Sequence, residues 1–161
     1  SQAQLSAAAR RAQRQERLRH SASGLADDIE RDGLEAFVDH WQELPLFASA
    51  AALPEADRQR LRAERLGHDP RGLAASLRGA GQGAMDPLHG RLGDIAVPTL
   101  VVAGDLDPVG EARARSVADG ISGARLQIIA GAGHTPHLER PDDFTRIVTD
   151  YLAATPTPSL H

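Results

Sequence analysis

The sequence predicts an α/β fold in which parallel strands are connected by crossover helices and are preceded by a helical region. Two apolar runs, "TLVVAG" and "LQII", are each followed by a polar loop and then by a helical pattern. Strand, helix, strand, helix is the order of a parallel crossover. Residues 1–92 instead show helical spacing with short breaks. We therefore expect a helical region over 1–92, an α/β segment over 93–154 and a disordered tail over 155–161.

Three stretches of the N-terminal region carry specific helix signals. "LEAFVDHW" places apolar side chains on one helical face, and "LPEADRQRLRAERL" has a proline and acids at its start. In "DPRGLAASLRGA", Asp69 is a candidate N-cap, Pro70 lies in the first turn, and Gly79 or Gly81 ends the helix. The helices are short and only partly apolar, so we expect them to cover another layer rather than to fold alone.

The α/β segment begins with the apolar run Val97–Ala103, which predicts a strand buried on both faces of a parallel sheet. The helix "GEARARSVADG" follows and is expected to stop at Gly120, and "ARLQIIAGAG" is a second predicted buried strand. The closing helix "PDDFTRIVTDYLA" has one apolar stripe, formed by Phe144, Ile147, Val148, Tyr151 and Leu152.

Composition excludes several classes of function. The chain has 161 residues, 41% of them apolar, and no segment approaches the run of about 20 apolar residues that a membrane span requires. The absence of cysteine excludes disulfides and thiolate metal sites. A net charge of −4 argues against a nucleic-acid partner, and the polar, basic opening does not resemble a signal peptide. We therefore expect a cytoplasmic protein.

Asp107 and His134 follow the two predicted strands, in "GDLDP" and "GAGHTPH". Functional groups of open parallel sheets collect at the carboxyl ends of the strands, so both residues are expected at one edge of the sheet. An aspartate beside a histidine fixes the imidazole tautomer and stabilises the imidazolium, as in a catalytic triad. The alternative is that Asp107 only caps the following helix and that His134 is an incidental turn residue. Their joint placement favours the catalytic interpretation.

The segments "PTLVVAGDLDP" and "IIAGAGHTPHLERPDDF" resemble the C-terminal part of an α/β-hydrolase, whose triad runs Ser, Asp, His in chain order. The helical region is similar to the lid that precedes the aspartate strand in that family. The resemblance therefore covers nearly the whole chain. It implies catalytic roles for Asp107 and His134.

The lid segments resemble one subfamily, the 2-succinyl-6-hydroxy-2,4-cyclohexadiene-1-carboxylate synthases of menaquinone biosynthesis, which eliminate pyruvate and need no cofactor or metal. The resemblance implies that Arg14 and Arg65 bind carboxylates of a small anionic substrate and that Trp41 forms part of the lid wall. Arginine suits this role because its planar guanidinium holds a carboxylate through paired hydrogen bonds. The alternative for both arginines is a solvated helix face, and the alternative for Trp41 is a core position. His137 could also line the site, and its alternative is a surface position.

The sequence contains no G-x-S-x-G motif, and "GISGA" precedes a predicted strand rather than a helix. We therefore expect the nucleophile elbow in an N-terminal half of the fold that is absent from these residues and acts as the partner of this chain. The chain is then a fragment or one piece of a split protein, inactive alone. Two alternatives stay open: a carboxylesterase-like hydrolase of the same fold, and a non-catalytic interaction module.

Overall fold

The computed structural model describes residues 7–81 and 83–155, with no account of side chains at 7–12 and 14–20. In this part of the chain, seven α-helices and two parallel strands follow one another. The helices are α1 (Ala7–Asp32), α2 (Leu34–Gln42), α3 (Glu55–Leu66), α4 (Pro70–Ala80), α5 (Pro108–Gly120), α6 (Pro136–Glu139) and α7 (Pro141–Ala154); the strands are β1 (Leu100–Gly104) and β2 (Arg125–Ile129). Two 3₁₀ segments, Pro45–Ala52 and His89–Asp94, complete the order.

The described residues form two compact units. The first unit contains residues of 1–42 and 59–87, and the second contains residues of 43–58 and 88–161, so that α3 begins in the second unit and continues in the first. The division of the chain into a lid over 1–92 and a core over 93–154 is a functional one and stays a prediction.

The first unit is held together by α1, α2 and α4. Its buried side chains are Ala26 and Ile29 on α1, Val38 on α2 and Ala74 on α4. Because two of these four are alanines, α1 and α4 approach closely with little side-chain volume between them. Outside this core, Arg78 of α4 donates to Glu30 (2.6 Å) and Asp27 (2.6 Å) of α1. Such exposed ion pairs add little stability individually, so the small apolar contact holds the helices together.

The predicted start and end of α4 are confirmed. The carboxylate of Asp69 accepts a hydrogen bond from the backbone N–H of Gly72 at 2.7 Å, Pro70 is the first helical residue, and Gly81 follows the last. An aspartate at this position satisfies a backbone donor that the first turn leaves without an intrahelical partner.

The second unit is built on β1 and β2, which pair in parallel from Leu100–Arg125 to Gly104–Ile129. The crossover between them is α5, and α7 follows β2. This confirms the predicted strand–helix–strand–helix order. Several bounds differ from the sequence prediction: α5 begins at Pro108 rather than at Gly110, β2 covers only Arg125–Ile129 of "ARLQIIAGAG", and β1 begins at Leu100, after Pro98, which has no N–H for a ladder.

The prediction that both strands are buried on both faces is wrong for this structure. Leu100–Ala103 are only half-buried, and Arg125 and Gln127 of β2 are exposed. The reason is that the sheet has two strands in the described part of the chain, with α5 packed on both and α7 contacting β2. The apolar stripe of α7 is likewise only half-buried, and Leu152 is 65% exposed.

No helix in residues 7–81 and 83–155 combines the length and apolar character that crossing a bilayer requires. The predicted disordered tail over 155–161 is described only at Thr155, whose hydroxyl donates to the carbonyl of Tyr151 at 2.7 Å. Its other residues, 156–161, lie outside the described residues.

Candidate active site

Because β1 and β2 end at the same level of the sheet, the polar loops that follow them lie side by side. Gly104 and Ile129 are the last paired residues of the two strands, so the loops leave the sheet at the same level. Beyond the strands the loops remain bonded, because Leu106 N–H donates to the carbonyl of Ala132 at 2.9 Å and Gly131 N–H donates to the Asp105 carboxylate at 2.7 Å. These bonds fix the loop that carries Asp107 against the loop that carries His134.

Gly104 permits this close approach. A Cβ atom at Gly104 would meet the carbonyl oxygens of Ala132 and Gly133 at distances far shorter than real Cβ atoms show. Only a residue without a side chain lets the end of β1 lie this near the histidine loop.

Asp107 is the N-cap of α5, and its two carboxylate oxygens have different partners. Oδ1 accepts a hydrogen bond from Gly110 N–H at 2.8 Å, and Oδ2 lies 2.7 Å from Nδ1 of His134. The two interpretations of Asp107, helix cap and partner of a histidine, are therefore both correct. The residue is only 7% exposed, so both bonds form largely away from water.

The electrostatics favour an ionised Asp107. Burial raises the pKa of its carboxyl, but the hydrogen bonds from Gly110 N–H and His134, and the positive charges of His134 and Arg113, outweigh this effect. The net result is a pKa below the ordinary value of 3.8. At neutral pH the carboxylate is negatively charged and can hold the Nδ1–H tautomer of His134 and stabilise its imidazolium.

The imidazole of His134 keeps its other nitrogen for chemistry. Nδ1 faces Asp107, and in the described part of the chain the ring has no second hydrogen-bond partner. Its side chain is 41% exposed, and its ring forms a T-shaped contact with that of Phe47, with ring centroids 5.7 Å apart. A histidine held in this way can take a proton at Nε2 from a neighbouring hydroxyl.

A second carboxylate, Glu139 of α6, lies beside the histidine loop. It accepts hydrogen bonds from Gly133 N–H (2.7 Å), from Thr135 N–H (3.0 Å) and from the Thr135 hydroxyl (2.9 Å). The Ser49 hydroxyl also donates to it. Glu139, Phe47 and Ser49 were not predicted from the sequence. A glutamate five positions after His134 was visible in "GHTPHLERP", but the backbone donors that it meets depend on how the loop folds.

The other candidates from the sequence are Arg65, Trp41 and Arg14, which belong to the first unit, and His137 of α6. Arg65, half-buried on α3, donates through Nη1 to Oε1 of Gln42 at 3.0 Å. Trp41 is half-buried on α2 and stacks on Phe37 at 5.7 Å between centroids, which agrees with the core alternative. Arg14 belongs to α1, but its side chain lies outside the described residues. His137 is exposed, with its ring 5.9 Å from that of Phe144.

The structure thus brings Asp107 and His134 together, as their positions at the strand ends predict. Roles in substrate binding for Arg14, Arg65 and Trp41 remain predictions. Among residues 7–81 and 83–155, no group of three or more His, Cys, Asp or Glu side chains is placed to hold a metal ion.

Two proteins of known name are similar to this chain. A protein of Bacillus subtilis (strain 168) named "Putative 2-succinyl-6-hydroxy-2,4-cyclohexadiene-1-carboxylate synthase" is 41% identical over 130 residues, which are 81% of this chain and 47% of that protein. The 2-succinyl-6-hydroxy-2,4-cyclohexadiene-1-carboxylate synthase of Serratia proteamaculans (strain 568) is 28% identical over 141 residues, which are 88% of this chain and 52% of that protein. The chain therefore spans about half the length of these relatives.

The fold is also that of a solved relative. The structure of MenH from S. aureus superposes with a TM-score of 0.87 at 34% identity, covering 88% of this chain and 53% of that one. The model of the alpha/beta hydrolase family matches residues 4–147, which include both strands and the Asp107–His134 pair. The chain belongs to the alpha/beta hydrolase family and forms a C-terminal part of its fold.

Proposed function

We propose that this chain supplies the acid–histidine pair and the substrate-binding lid of a pyruvate-eliminating 2-succinyl-6-hydroxy-2,4-cyclohexadiene-1-carboxylate synthase. The observation that carries the proposal is the 2.7 Å contact between Asp107 Oδ2 and His134 Nδ1 at the ends of adjacent parallel strands. The likeness to the Bacillus and Serratia proteins supports the synthase over other reactions of the family. A cytoplasmic location is part of the same proposal.

In the proposed mechanism, His134 draws the proton from a serine hydroxyl on the nucleophile elbow, which is not among these 161 residues. Asp107 stays ionised and stabilises the imidazolium that results. The activated serine then removes a proton from the substrate, and pyruvate leaves. A hydrolase would use the same pair to prepare the serine for attack on an acyl carbonyl, so the pair alone does not decide between the two reactions.

The choice between them depends on how substrate charge is bound. A protein with a net charge of −4 that captures a polycarboxylate needs a local positive group, because its long-range field opposes the encounter. We propose that Arg14 and Arg65 provide this charge. Arg65 is half-buried on α3, and its planar guanidinium suits the role because it can hold a carboxylate through paired hydrogen bonds.

The test compares Arg65→Ala and Arg14→Ala in the complete enzyme, made by combining this chain with the part of the fold that carries the elbow. Each should lower kcat/KM for pyruvate elimination about ten- to a hundredfold, the cost of one charge-assisted contact. Hydrolysis of a small neutral ester should change little.

Arg62→Ala is the matched control. Arg62 lies one turn before Arg65 on α3, and its guanidinium binds Asp39 at 2.8 Å and Glu35 at 3.0 Å on α2. A loss of activity caused only by weakening the α2–α3 contact would appear in Arg62→Ala as well. Wild-type elimination by both test variants would remove Arg14 and Arg65 from the proposal. A complete enzyme that eliminates no pyruvate and hydrolyses neutral esters would replace the synthase by a carboxylesterase-like hydrolase.

A further inference from the structure

Glu139 binds the main chain on both sides of His134. Its Oε2 accepts from the N–H of Gly133, the residue before the histidine, and its Oε1 accepts from the N–H and the hydroxyl of Thr135, the residue after it. The Thr135 N–H belongs to the peptide group that follows His134, and the Gly133 N–H belongs to the peptide group between Ala132 and Gly133. Anchoring the chain at both points restricts the position of the His134 Cα–Cβ bond. For His134 that bond sets where the imidazole lies relative to Asp107.

The same carboxylate also holds the segment that packs on the imidazole. The hydroxyl of Ser49 donates to Glu139, and Phe47, two residues earlier in the 3₁₀ segment Pro45–Ala52, packs its ring against His134. Gly133 makes room for this arrangement, because a Cβ atom there would collide with the Ser49 hydroxyl.

The Glu139 carboxylate is fully engaged in these contacts. Four donors share its two oxygens, so it has little capacity left to bind a substrate or to exchange a proton with one. It does not touch the imidazole ring through a hydrogen bond. Its effect on His134 therefore passes through the backbone and through Phe47.

We propose that Glu139 is a positioning residue, which holds the His134 loop and the Phe47 segment so that the imidazole meets Asp107. The proposal rests on the catalytic role proposed for Asp107 and His134, but not on the identity of the substrate. Its direct consequence is that the Nδ1–H of His134 should be poorly held when Glu139 cannot accept from Gly133.

The test is Glu139→Gln in the complete enzyme. Glutamine keeps the shape of the side chain but replaces one acceptor oxygen by an NH₂ group, which would face the Gly133 N–H or the Thr135 donors with no acceptor to offer. We expect kcat to fall about ten- to a hundredfold with KM nearly unchanged, since small misplacements of a catalytic group have this cost. Asp150→Asn, an exposed carboxylate of α7, is the control and should behave as wild type.

The second readout does not depend on turnover. A hydrogen bond between a histidine Nδ1–H and a carboxylate gives a far-downfield proton resonance, which we expect in wild type and Asp150→Asn. The resonance should be broadened or lost in Glu139→Gln. If no substrate is turned over by any variant, the proposed synthase is wrong, while this comparison still decides the role of Glu139.

Two outcomes would overturn the proposal: wild-type kcat in Glu139→Gln, or reduced kcat with an unchanged resonance, which would point to a direct role in the reaction. If Glu139→Gln does not fold, Thr135→Val decides instead. It removes only the hydroxyl donor to Oε1, and it should lower kcat severalfold and broaden the same resonance. An unchanged resonance and kcat in this variant would likewise overturn the proposal.

Discussion

At the scale of single residues, Asp107 joins two tasks that a sequence pattern presents as alternatives. One oxygen caps the N-terminus of α5 and the other holds His134, so the start of the helix and the orientation of the histidine depend on a single buried carboxylate. The ordinary N-cap of α4 is a natural comparison, because Asp69 also caps a helix through the N–H of a glycine three residues later.

Asp107→Asn should therefore separate the two tasks. The amide oxygen can still cap α5, but an NH₂ group placed against Nδ1–H of His134 favours the wrong tautomer. We expect a modest loss of stability, because the neutral amide lacks the carboxylate's charge-assisted bonds, and a fall in kcat of up to about 10⁴-fold in the complete enzyme. Asp69→Asn should leave kcat unchanged. Equal activity of the two variants, measured beside their thermal unfolding, would contradict a catalytic role for Asp107.

The lowered pKa values of Asp107 and Glu139 predict that the stability of the fold decreases at acid pH. Burial raises the pKa of Glu139, but hydrogen bonds from Gly133 N–H, Thr135 N–H, and the Ser49 and Thr135 hydroxyls outweigh it, so the folded pKa lies below the ordinary 4.5. A group whose pKa is lower in the folded state stabilises the fold above its unfolded pKa. This stabilisation is lost as pH falls through the folded value.

The free energy of unfolding should accordingly decrease as pH falls below about 4.5, the pKa of Glu139 in the unfolded chain. It should decrease further as pH falls below about 3.8, the pKa of Asp107 in the unfolded chain. Denaturant titrations across this range should show a shallower decrease for Glu139→Gln, because glutamine does not titrate. Parallel curves for the variant and wild type would show that Glu139 has the same pKa in both states.

At the scale of elements, the caps and the strand ends were the predictable features. The Asp69–Pro70 signal and the two strand–loop junctions depend on local chemistry and on a general property of parallel sheets, so the pairing of Asp107 with His134 followed from them. Strand burial was not predictable, because an apolar run describes what a strand is suited to contact rather than what lies next to it. The bonds of Glu139 depend on loop conformation, which the sequence does not show.

The junction at Gly104 gives a prediction for the element scale. In Gly104→Ala, the methyl group would meet the carbonyls of Ala132 and Gly133, and the histidine loop would have to move away from β1. We expect a loss of about 1–3 kcal/mol in the free energy of unfolding and a weakened Asp107–His134 contact. Gly93→Ala is the control, because nothing lies within 4 Å of a Cβ atom there. Equal stability of the two variants would show that the loop adapts without strain.

At the scale of the whole molecule, the chain covers about half of the relatives that it matches, and its 161 residues contain no G-x-S-x-G. A polypeptide of these residues alone should therefore neither eliminate pyruvate nor hydrolyse esters, because the serine and the oxyanion-stabilising groups account for most of the rate in such enzymes. Turnover by this polypeptide that His134→Ala abolishes would reveal a nucleophile among the 161 residues.

The in-register pairing of β1 with β2 also determines which changes of chain length this protein tolerates. Each strand residue advances the chain by about 3.3 Å, and a displacement of this size between two side chains breaks a hydrogen bond between them. One residue inserted into either strand would shift one loop past the other and would part Asp107 from His134. Residues inserted at the exposed turn Ser122–Gly123 would leave both strand ends where they are. Natural length variation in this crossover should therefore accumulate at the turn and be absent from the strands.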